Sequence, residues 1–118
     1  MQTIEQAFEK LEKSKFRNQF HLSQRDKEYV QKKGMETIAR HAEDFVKERL
    51  APADPVHDGR QTPMHGHPVF LAQHATACCC RGCLEKWYHV PKGVPLTALQ
   101  QKKIVNLLLK WIEKEMEA

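Results

Sequence analysis

The sequence predicts an all-α protein, a single small domain of four to six helices with a long proline-rich central loop. Every strongly periodic segment repeats its apolar residues three or four positions apart, and none alternates over a useful length. All six prolines lie between Pro52 and Pro95, which leaves both ends free to be helical. The 118 residues, 41% of them hydrophobic and 29% charged, suit one domain (1–118) with a modest core.

Three helices are predicted before the loop. The N-terminal arm, residues 1–22, carries an apolar stripe at helical spacing: Ile4, Ala7, Phe8 and Leu11. Ser23 and Asp26 resemble a capping box at the start of a second helix, and Gly34 suits the position just after its end. The third helix presents a stripe over about four turns until Pro52 stops it: Met35, Ile38, Ala39, Ala42, Phe45, Val46 and Leu50.

The second half of the chain begins with an irregular loop, residues 51–67. Loops of this length inside a compact domain are uncommon and are often functional. Pro68 suits the first position of a helix that enters a Cys/His-rich segment, residues 68–89. Thr97 and Gln100 form a capping box for the C-terminal helix, residues 97–117. That helix has a broad apolar face: Leu99, Ile104, Val105, Leu108, Leu109, Trp111 and Ile112.

Composition narrows the class of protein. No apolar run approaches the roughly 20 residues that a bilayer span needs, so no membrane partner is expected. The N-terminal residues carry no signal-peptide pattern, and we therefore expect a cytoplasmic protein whose cysteines are reduced thiols or metal ligands. The net charge of +4 is mild and spread along the chain, so charge alone does not indicate nucleic acid.

The cysteines form the main functional signal. All four lie within residues 78–83, and five of the seven histidines lie between positions 57 and 89. Cys80 and Cys83 have the C-x-x-C spacing of a zinc knuckle. We predict a metal site, most simply zinc, with an iron–sulfur cluster as the lesser option because three thiols leave one iron needing another ligand. Its predicted ligands are Cys79, Cys80, Cys83 and a histidine, with His74 and His67 as the leading candidates.

Helical geometry does not decide which histidine would be the fourth ligand. If residues 68–88 formed one unbroken helix, the three predicted cysteine ligands would share a face and His74 would point away from it. A break at Gly82 or in the run of cysteines would be needed to bring His74 in. His67, His65 and His89 are the other candidates for the fourth ligand.

A second interpretation makes the cysteines plain core. Reduced cysteines are often buried, and here they would pack against Trp87 and Trp111. The protein would then be a nucleic-acid-binding or protein-interaction module, with the Lys32-Lys33-Gly34 junction contacting phosphates.

A third interpretation makes one cysteine a nucleophile in an enzyme of unassigned reaction. Arg81 and Lys86 would lower the pKa of a nearby thiol, and His74 would serve as the base.

The chain also resembles a small, uncharacterised bacterial family that is known only as a domain of unknown function. The resemblance covers nearly the whole chain and rests on specific motifs: His41-Ala-Glu-Asp-Phe, Arg49-Leu-Ala-Pro-Ala, Asp58-Gly-Arg-Gln-Thr-Pro-Met, Gly66-His-Pro-Val-Phe, Ala72-Gln-His-Ala-Thr, Cys79-Cys-Arg-Gly-Cys-Leu-Glu-Lys-Trp87 and Pro91-Lys-Gly. It implies no activity.

The family pattern resembles Ala-Thr-Ala-Thr-Cys-Cys-Arg-Gly-Cys-Leu-Glu-Lys-Trp-His. By position it matches three of the cysteines here, Cys79, Cys80 and Cys83. Cys78 stands where the family often has threonine. The histidine that follows tryptophan in the family falls at Tyr88, one place before His89.

Overall fold

A computed structural model describes residues 3–118 and builds this part of the chain from α-helices without a strand. The seven helices are α1 (Ile4–Glu12), α2 (Lys15–Asn18), α3 (Gln24–Lys33), α4 (Met35–Phe45), α5 (Pro68–Ala75), α6 (Arg81–Tyr88) and α7 (Ala98–Glu117). The all-α class is confirmed. The expected number of helices was too low, because α2 forms in the connector after α1 and the Cys/His-rich segment divides into α5 and α6. The first two residues of the predicted arm lie outside the described range.

Local capping signals fix the helix starts. The Ser23 hydroxyl accepts the Asp26 N–H at 3.1 Å, and Asp26 accepts the Ser23 N–H at 3.0 Å, which completes the predicted capping box of α3. Thr97 and Gln100 do the same for α7. Gly34 separates α3 from α4 with a φ of +83°, a conformation that glycine adopts without steric cost.

The core is centred on α5, which packs against α2, α3, α4 and α7. Seven of its eight residues are buried, so neighbours surround it on nearly every side. The other large apolar side chains that are fully buried come from α4, the turn that follows it, α6 and α7: Ile38, Val46, Leu50, Leu84, Ile104, Leu107, Leu108 and Ile112. No helix within residues 3–118 is long and apolar enough to cross a membrane.

After α4 the chain makes a π-helical turn, Val46–Leu50, and then runs without a helix until Pro68. The Ala51 N–H donates to the Val46 carbonyl at 2.8 Å, the wider hydrogen bond that defines this turn. Residues 51–66 follow bends and turns, and they contact α5 at His74 and the start of α6 at Arg81.

Arg81 anchors this segment from inside the protein. Its side chain is 1% exposed, and its guanidinium donates to backbone carbonyls on two separate stretches of chain. The acceptors are Leu50 (3.4 Å), Ala51 (3.4 Å) and Pro52 (2.7 Å) after α4, and Pro91 (2.9 Å) and Val94 (2.7 Å) before α7. One buried cation thus holds the start of α6 against both connections.

Candidate metal centre

The Cys/His-rich segment reverses direction between α5 and α6. Ala77 has a φ of +59°, and the Gln73 side chain donates to the Cys78 carbonyl at 3.1 Å while the Cys78 N–H donates to the Gln73 carbonyl at 2.8 Å. Of the two cases considered for residues 68–88, an unbroken helix and a broken one, the structure has the broken one. The break falls within residues 76–80, and Gly82 lies inside the first turn of α6.

The break brings three thiols together. The sulfur atoms of Cys79, Cys80 and Cys83 all lie within 4.8 Å of one another, and those of Cys79 and Cys83 are 3.6 Å apart. Cys80 is the N-cap of α6, where its sulfur accepts the Cys83 N–H at 3.3 Å. Two sulfurs bound to one tetrahedral zinc ion lie about 3.8 Å apart, given a Zn–S bond of about 2.3 Å. The group could therefore hold a metal ion.

Arg17 is a buried cation that faces these thiols. Its side chain, 9% exposed, extends from α2 and places Nη2 3.4 Å from the Cys83 sulfur and Nη1 3.8 Å from the Cys79 sulfur. Nη1 also donates to the His74 carbonyl at 2.7 Å. Among residues 3–118 no carboxylate lies within salt-bridge distance of Arg17, so the sulfurs are its nearest source of counter-charge.

The contacts within the group give its three thiols different pKa values. Hydrogen bonds from the Cys79 and Cys80 thiols, together with Arg17, hold the pKa of Cys83 well below its usual value. Hydrogen bonding to Cys80 and Cys83, and then burial, raises the pKa of Cys79. The hydrogen bond with Cys79 lowers the pKa of Cys80, but Cys83 and burial outweigh it and raise that pKa. These contacts favour the thiolate form at Cys83, the sulfur that Arg17 approaches most closely.

Cys78 stands apart from the group. It is fully buried, its sulfur donates to the Thr76 carbonyl at 3.6 Å, and burial raises the pKa of its thiol to about 12. The Tyr88 hydroxyl donates to the same carbonyl. Cys78 is thus a neutral core thiol beside the site.

His74 does not bring a ring nitrogen to the three sulfurs. Its Nε2 lies 3.1 Å from the Thr62 carbonyl oxygen and 3.1 Å from that of Pro63, so this nitrogen carries a proton. The ring stacks on Phe20 with their centroids 5.6 Å apart. These contacts hold the imidazole against the loop after α4.

His67 also lies outside the group, because both of its ring nitrogens are occupied elsewhere. Nδ1 accepts the Val69 N–H at 3.0 Å and caps α5, and Nε2 lies 3.0 Å from Nδ1 of His41. Burial, and then the neighbouring His41, lowers the pKa of His67 to about 4. His65 and His89 are exposed, and the ligand group found within residues 3–118 contains neither.

The chain matches a known protein family over most of its length. The family described as Domain of unknown function (DUF4186) matches residues 5–113 of the chain. The chain belongs to this family. The match covers the arm, the central loop and the cysteines, which confirms the family resemblance. No solved structure matches the chain.

This member of DUF4186 uses a second anchor at the start of α6. Asp58 accepts the Arg81 N–H at 2.8 Å, and its other carboxylate oxygen lies 4.0 Å from Lys92 Nζ. Burial opposes ionisation, but hydrogen bonds from Gln61 and from the backbone N–H groups of Arg81 and Gly82 lower the pKa of Asp58. The carboxylate therefore caps α6 and ties the loop to the helix that carries Cys83.

Two functional residues in this DUF4186 chain differ from the sequence-based expectation. The nucleophile interpretation places Arg81 beside a thiol, but its guanidinium donates to backbone carbonyls. The cation beside the thiols is instead Arg17, which precedes Cys79 by 62 residues in the sequence. No sequence pattern around Arg17 predicts this contact, because it depends on how the N-terminal arm packs against α5.

The chemistry available at the site follows from these groups. Three thiols and one guanidinium can bind a soft cation or hold a reactive thiolate. The ligand group found within residues 3–118 contains no imidazole or carboxylate that could serve as a general base beside a bound water.

Proposed function

We propose that this protein is a cytoplasmic metal-binding protein that holds one zinc ion through Cys79, Cys80 and Cys83. The observation that carries the proposal is the buried Arg17 guanidinium, which contacts two of the sulfurs and no carboxylate in the described chain. Burying a charge is costly unless neighbouring groups compensate it, and the groups around Arg17 are these sulfurs, the His74 carbonyl and the rings of Phe16 and Trp87. A divalent ion with three thiolates carries one negative charge, which Arg17 neutralises.

The donor set supports zinc over other soft metals. Thiolates favour zinc, Cu(I) and iron–sulfur clusters. Cu(I) with three thiolates would carry two negative charges against the single charge of Arg17. An iron–sulfur cluster distributes its thiolates over several irons, whereas these three sulfurs lie within 4.8 Å of one another and suit a single ion.

Three protein ligands leave one tetrahedral position open, as in zinc sites that exchange a ligand. Cys83 is half-buried, so solvent reaches this side of the group. We infer that the fourth ligand is neutral and comes from outside the group, with water the simplest candidate. A neutral ligand preserves the charge balance with Arg17.

The test is the metal content of protein purified without a histidine tag. The parent should hold about one zinc ion per chain by elemental analysis. Cys79→Ser, Cys80→Ser and Cys83→Ser should each lose most of it, since each removes a ligand. Cys78→Ser is the matched control, and it should keep its zinc together with His74→Ala and His67→Ala.

Two results would overturn the proposal. A parent with no metal after addition of zinc under reducing conditions would favour the buried-core interpretation. Equal zinc content in all four cysteine variants would place the metal elsewhere in the chain.

The nucleic-acid alternative gains no support from the lysines that suggested it. Lys32 and Lys33 lie in the last turn of α3, where cations balance the helix dipole. Lys33 Nζ also lies 5.9 Å from the centre of the Tyr29 ring. The ring contact accounts for Lys33, and the helix dipole favours Lys32 at this end of α3.

A further inference from the structure

We propose that Cys83 and Cys79 form a thiol–disulfide exchange pair, and that their oxidation by a small-molecule disulfide releases the bound metal. The exchange step depends only on the sulfur geometry. The release step rests on the proposed function.

Access identifies the sulfur that reacts first. Cys78, Cys79 and Cys80 are buried, whereas Cys83 is half-buried. The Arg17 guanidinium lies 3.4 Å from the Cys83 sulfur, where it stabilises the thiolate that attacks a disulfide. An incoming disulfide therefore meets Cys83 before the other three sulfurs.

Proximity identifies the sulfur that completes the exchange. Cys79 Sγ lies 3.6 Å from Cys83 Sγ, and Arg17 Nη1 lies 3.8 Å from it. One guanidinium thus contacts both sulfurs and can stabilise negative charge on either. Because Arg17 contacts both sulfurs without moving, the negative charge can shift from one sulfur to the other during the exchange.

The two other cysteines are held in different roles. Cys80 Sγ caps α6 by accepting the Cys83 N–H at 3.3 Å, so a bond from Cys80 to Cys83 would cost the helix its cap. Cys78 Sγ is directed to the Thr76 carbonyl inside the core. The geometry therefore favours Cys79 as the partner of Cys83.

The chemistry balances as a two-electron exchange. The Cys83 thiolate attacks one sulfur of a disulfide RS–SR, forming a mixed disulfide and expelling one RS⁻. The Cys79 sulfur loses its proton to solvent, attacks Cys83 Sγ and expels a second RS⁻. Two protein thiols are oxidised and one small disulfide is reduced to two thiols. The new bond removes two of the three thiolates, and Cys80 alone cannot retain the zinc.

Trypsin makes the product easy to identify, because it cuts after Arg81, between the two partners. Reduced, metal-free protein is incubated with glutathione disulfide, the remaining thiols are blocked, and the digest is analysed by mass spectrometry. We expect the peptides of residues 61–81 and 82–86 to be joined by one disulfide, with no glutathione attached. Fragmentation of the joined peptides should place the bond on Cys79.

Three variants separate the roles of the cysteines. Cys79→Ser should stop at the mixed disulfide and carry one glutathione on Cys83. Cys80→Ser and the control Cys78→Ser should still form the bond. Zinc-loaded parent should release one zinc ion for each disulfide formed, followed with a chromogenic chelator.

The outcomes separate this inference from the proposed function. A stable mixed disulfide in the parent, or a link that persists in Cys79→Ser, would overturn the exchange pair. Disulfide formation with the zinc retained would overturn the release step. A parent that forms the Cys79–Cys83 bond but never binds zinc would confirm the exchange and refute only the metal site.

Discussion

Arg17 is the residue on which the electrostatics of the candidate site depend. Its guanidinium is buried, and the structure gives it two sulfurs and the His74 carbonyl as partners. A charged group in this setting is costly unless neighbouring charge compensates it. The same contacts would make metal binding favourable, because they offset the excess negative charge of three thiolates.

Replacing Arg17 with methionine should weaken zinc binding while the protein keeps its fold. A hydrogen bond to a charged group contributes about 1.5–3 kcal/mol, so we expect the Kd for zinc to rise roughly 10- to 100-fold. Arg17→Lys should fall between the parent and Arg17→Met. Competition with a chromogenic chelator measures all three, and Lys15→Met, an exposed change on the same helix, is the control. An unchanged Kd in Arg17→Met would remove this residue from the site.

His67 should make the protein sensitive to mild acid. Its Nδ1 accepts the Val69 N–H, so a proton on Nδ1 would remove the cap of α5. Burial and His41 lower the pKa of His67 to about 4 in the folded protein. In the unfolded chain the imidazole binds a proton near its ordinary pKa of about 6.5. The contribution of His67 to stability is therefore complete above about pH 6.5 and is lost as the pH falls towards 4, by about 1–2 kcal/mol once solvent screening of this half-buried ring is allowed for.

Urea unfolding of metal-free protein at several pH values between 7 and 4.5 checks this expectation. His67→Asn is the informative variant, since asparagine can cap a helix but does not titrate in this range. The free energy of unfolding should fall less steeply with acid in the variant than in the parent. Equal slopes would mean that other groups cause the acid sensitivity.

Arg81 shows how one side chain joins separate elements. It links the π-helical turn after α4, the turn before α7 and the start of α6. Asp58 strengthens the same junction by accepting the Arg81 N–H. The two residues hold the first turn of α6 in place, and this turn carries Cys80 and Cys83.

Arg81→Met should destabilise the fold strongly. The change leaves the buried carbonyls of Leu50 and Ala51 without this donor, at about 1–3 kcal/mol each, and also removes the shorter bonds to three carbonyls nearer the surface. We expect the free energy of unfolding in urea, with a chelator present, to fall by about 3 kcal/mol or more. Lys86→Met, an exposed change on the same helix, should alter it by about 0.5 kcal/mol or less. A loss below 1 kcal/mol in Arg81→Met would show that Arg81 does not hold this junction together.

Local signals allowed several elements to be predicted from sequence. Capping boxes and the glycine between α3 and α4 depend on neighbouring residues only, so the starts of α3 and α7 and the end of α3 were predictable. The break after α5 was harder to predict, because it depends on Gln73 bonding to the backbone of Cys78 and on Ala77 adopting a positive φ.

The candidate site was predictable only in part, for the same reason. Cys79, Cys80 and Cys83 are close in sequence, and their convergence follows from one helix start. Arg17 reaches them across 62 residues of sequence, and the contacts that occupy His67 and His74 come from α4 and the central loop. Such contacts arise from tertiary packing, which no motif in this chain records.

The arrangement of the seven helices indicates a fold that does not depend on the metal. The fully buried apolar side chains lie mainly on α4, α5 and α7, whereas the thiols lie at the start of α6 beside α2. Burial of apolar surface is the main stabilising contribution in a domain of this size. The protein should therefore remain folded without zinc and gain stability when zinc binds.

Circular dichroism with and without a chelator tests this independence. The far-ultraviolet spectrum should keep its helical shape when zinc is removed, while the Tm falls because the bound ion no longer favours the folded state. Restoring zinc should restore the Tm. Loss of the helical spectrum on chelation would mean that the metal, and not the apolar core, drives folding.

X-ray absorption at the zinc edge tests the proposed site most directly, because it reports the number and type of atoms bound to the metal. Zinc-loaded parent should show three sulfur atoms at about 2.3 Å and one lighter atom, oxygen or nitrogen, at about 2.0–2.1 Å. Cys83→Ser should lose the ion or one sulfur from this shell, and Cys78→Ser should give the parent spectrum. A shell of oxygen and nitrogen alone in the parent, or an unchanged sulfur count in Cys83→Ser, would contradict a zinc site built on Cys79, Cys80 and Cys83.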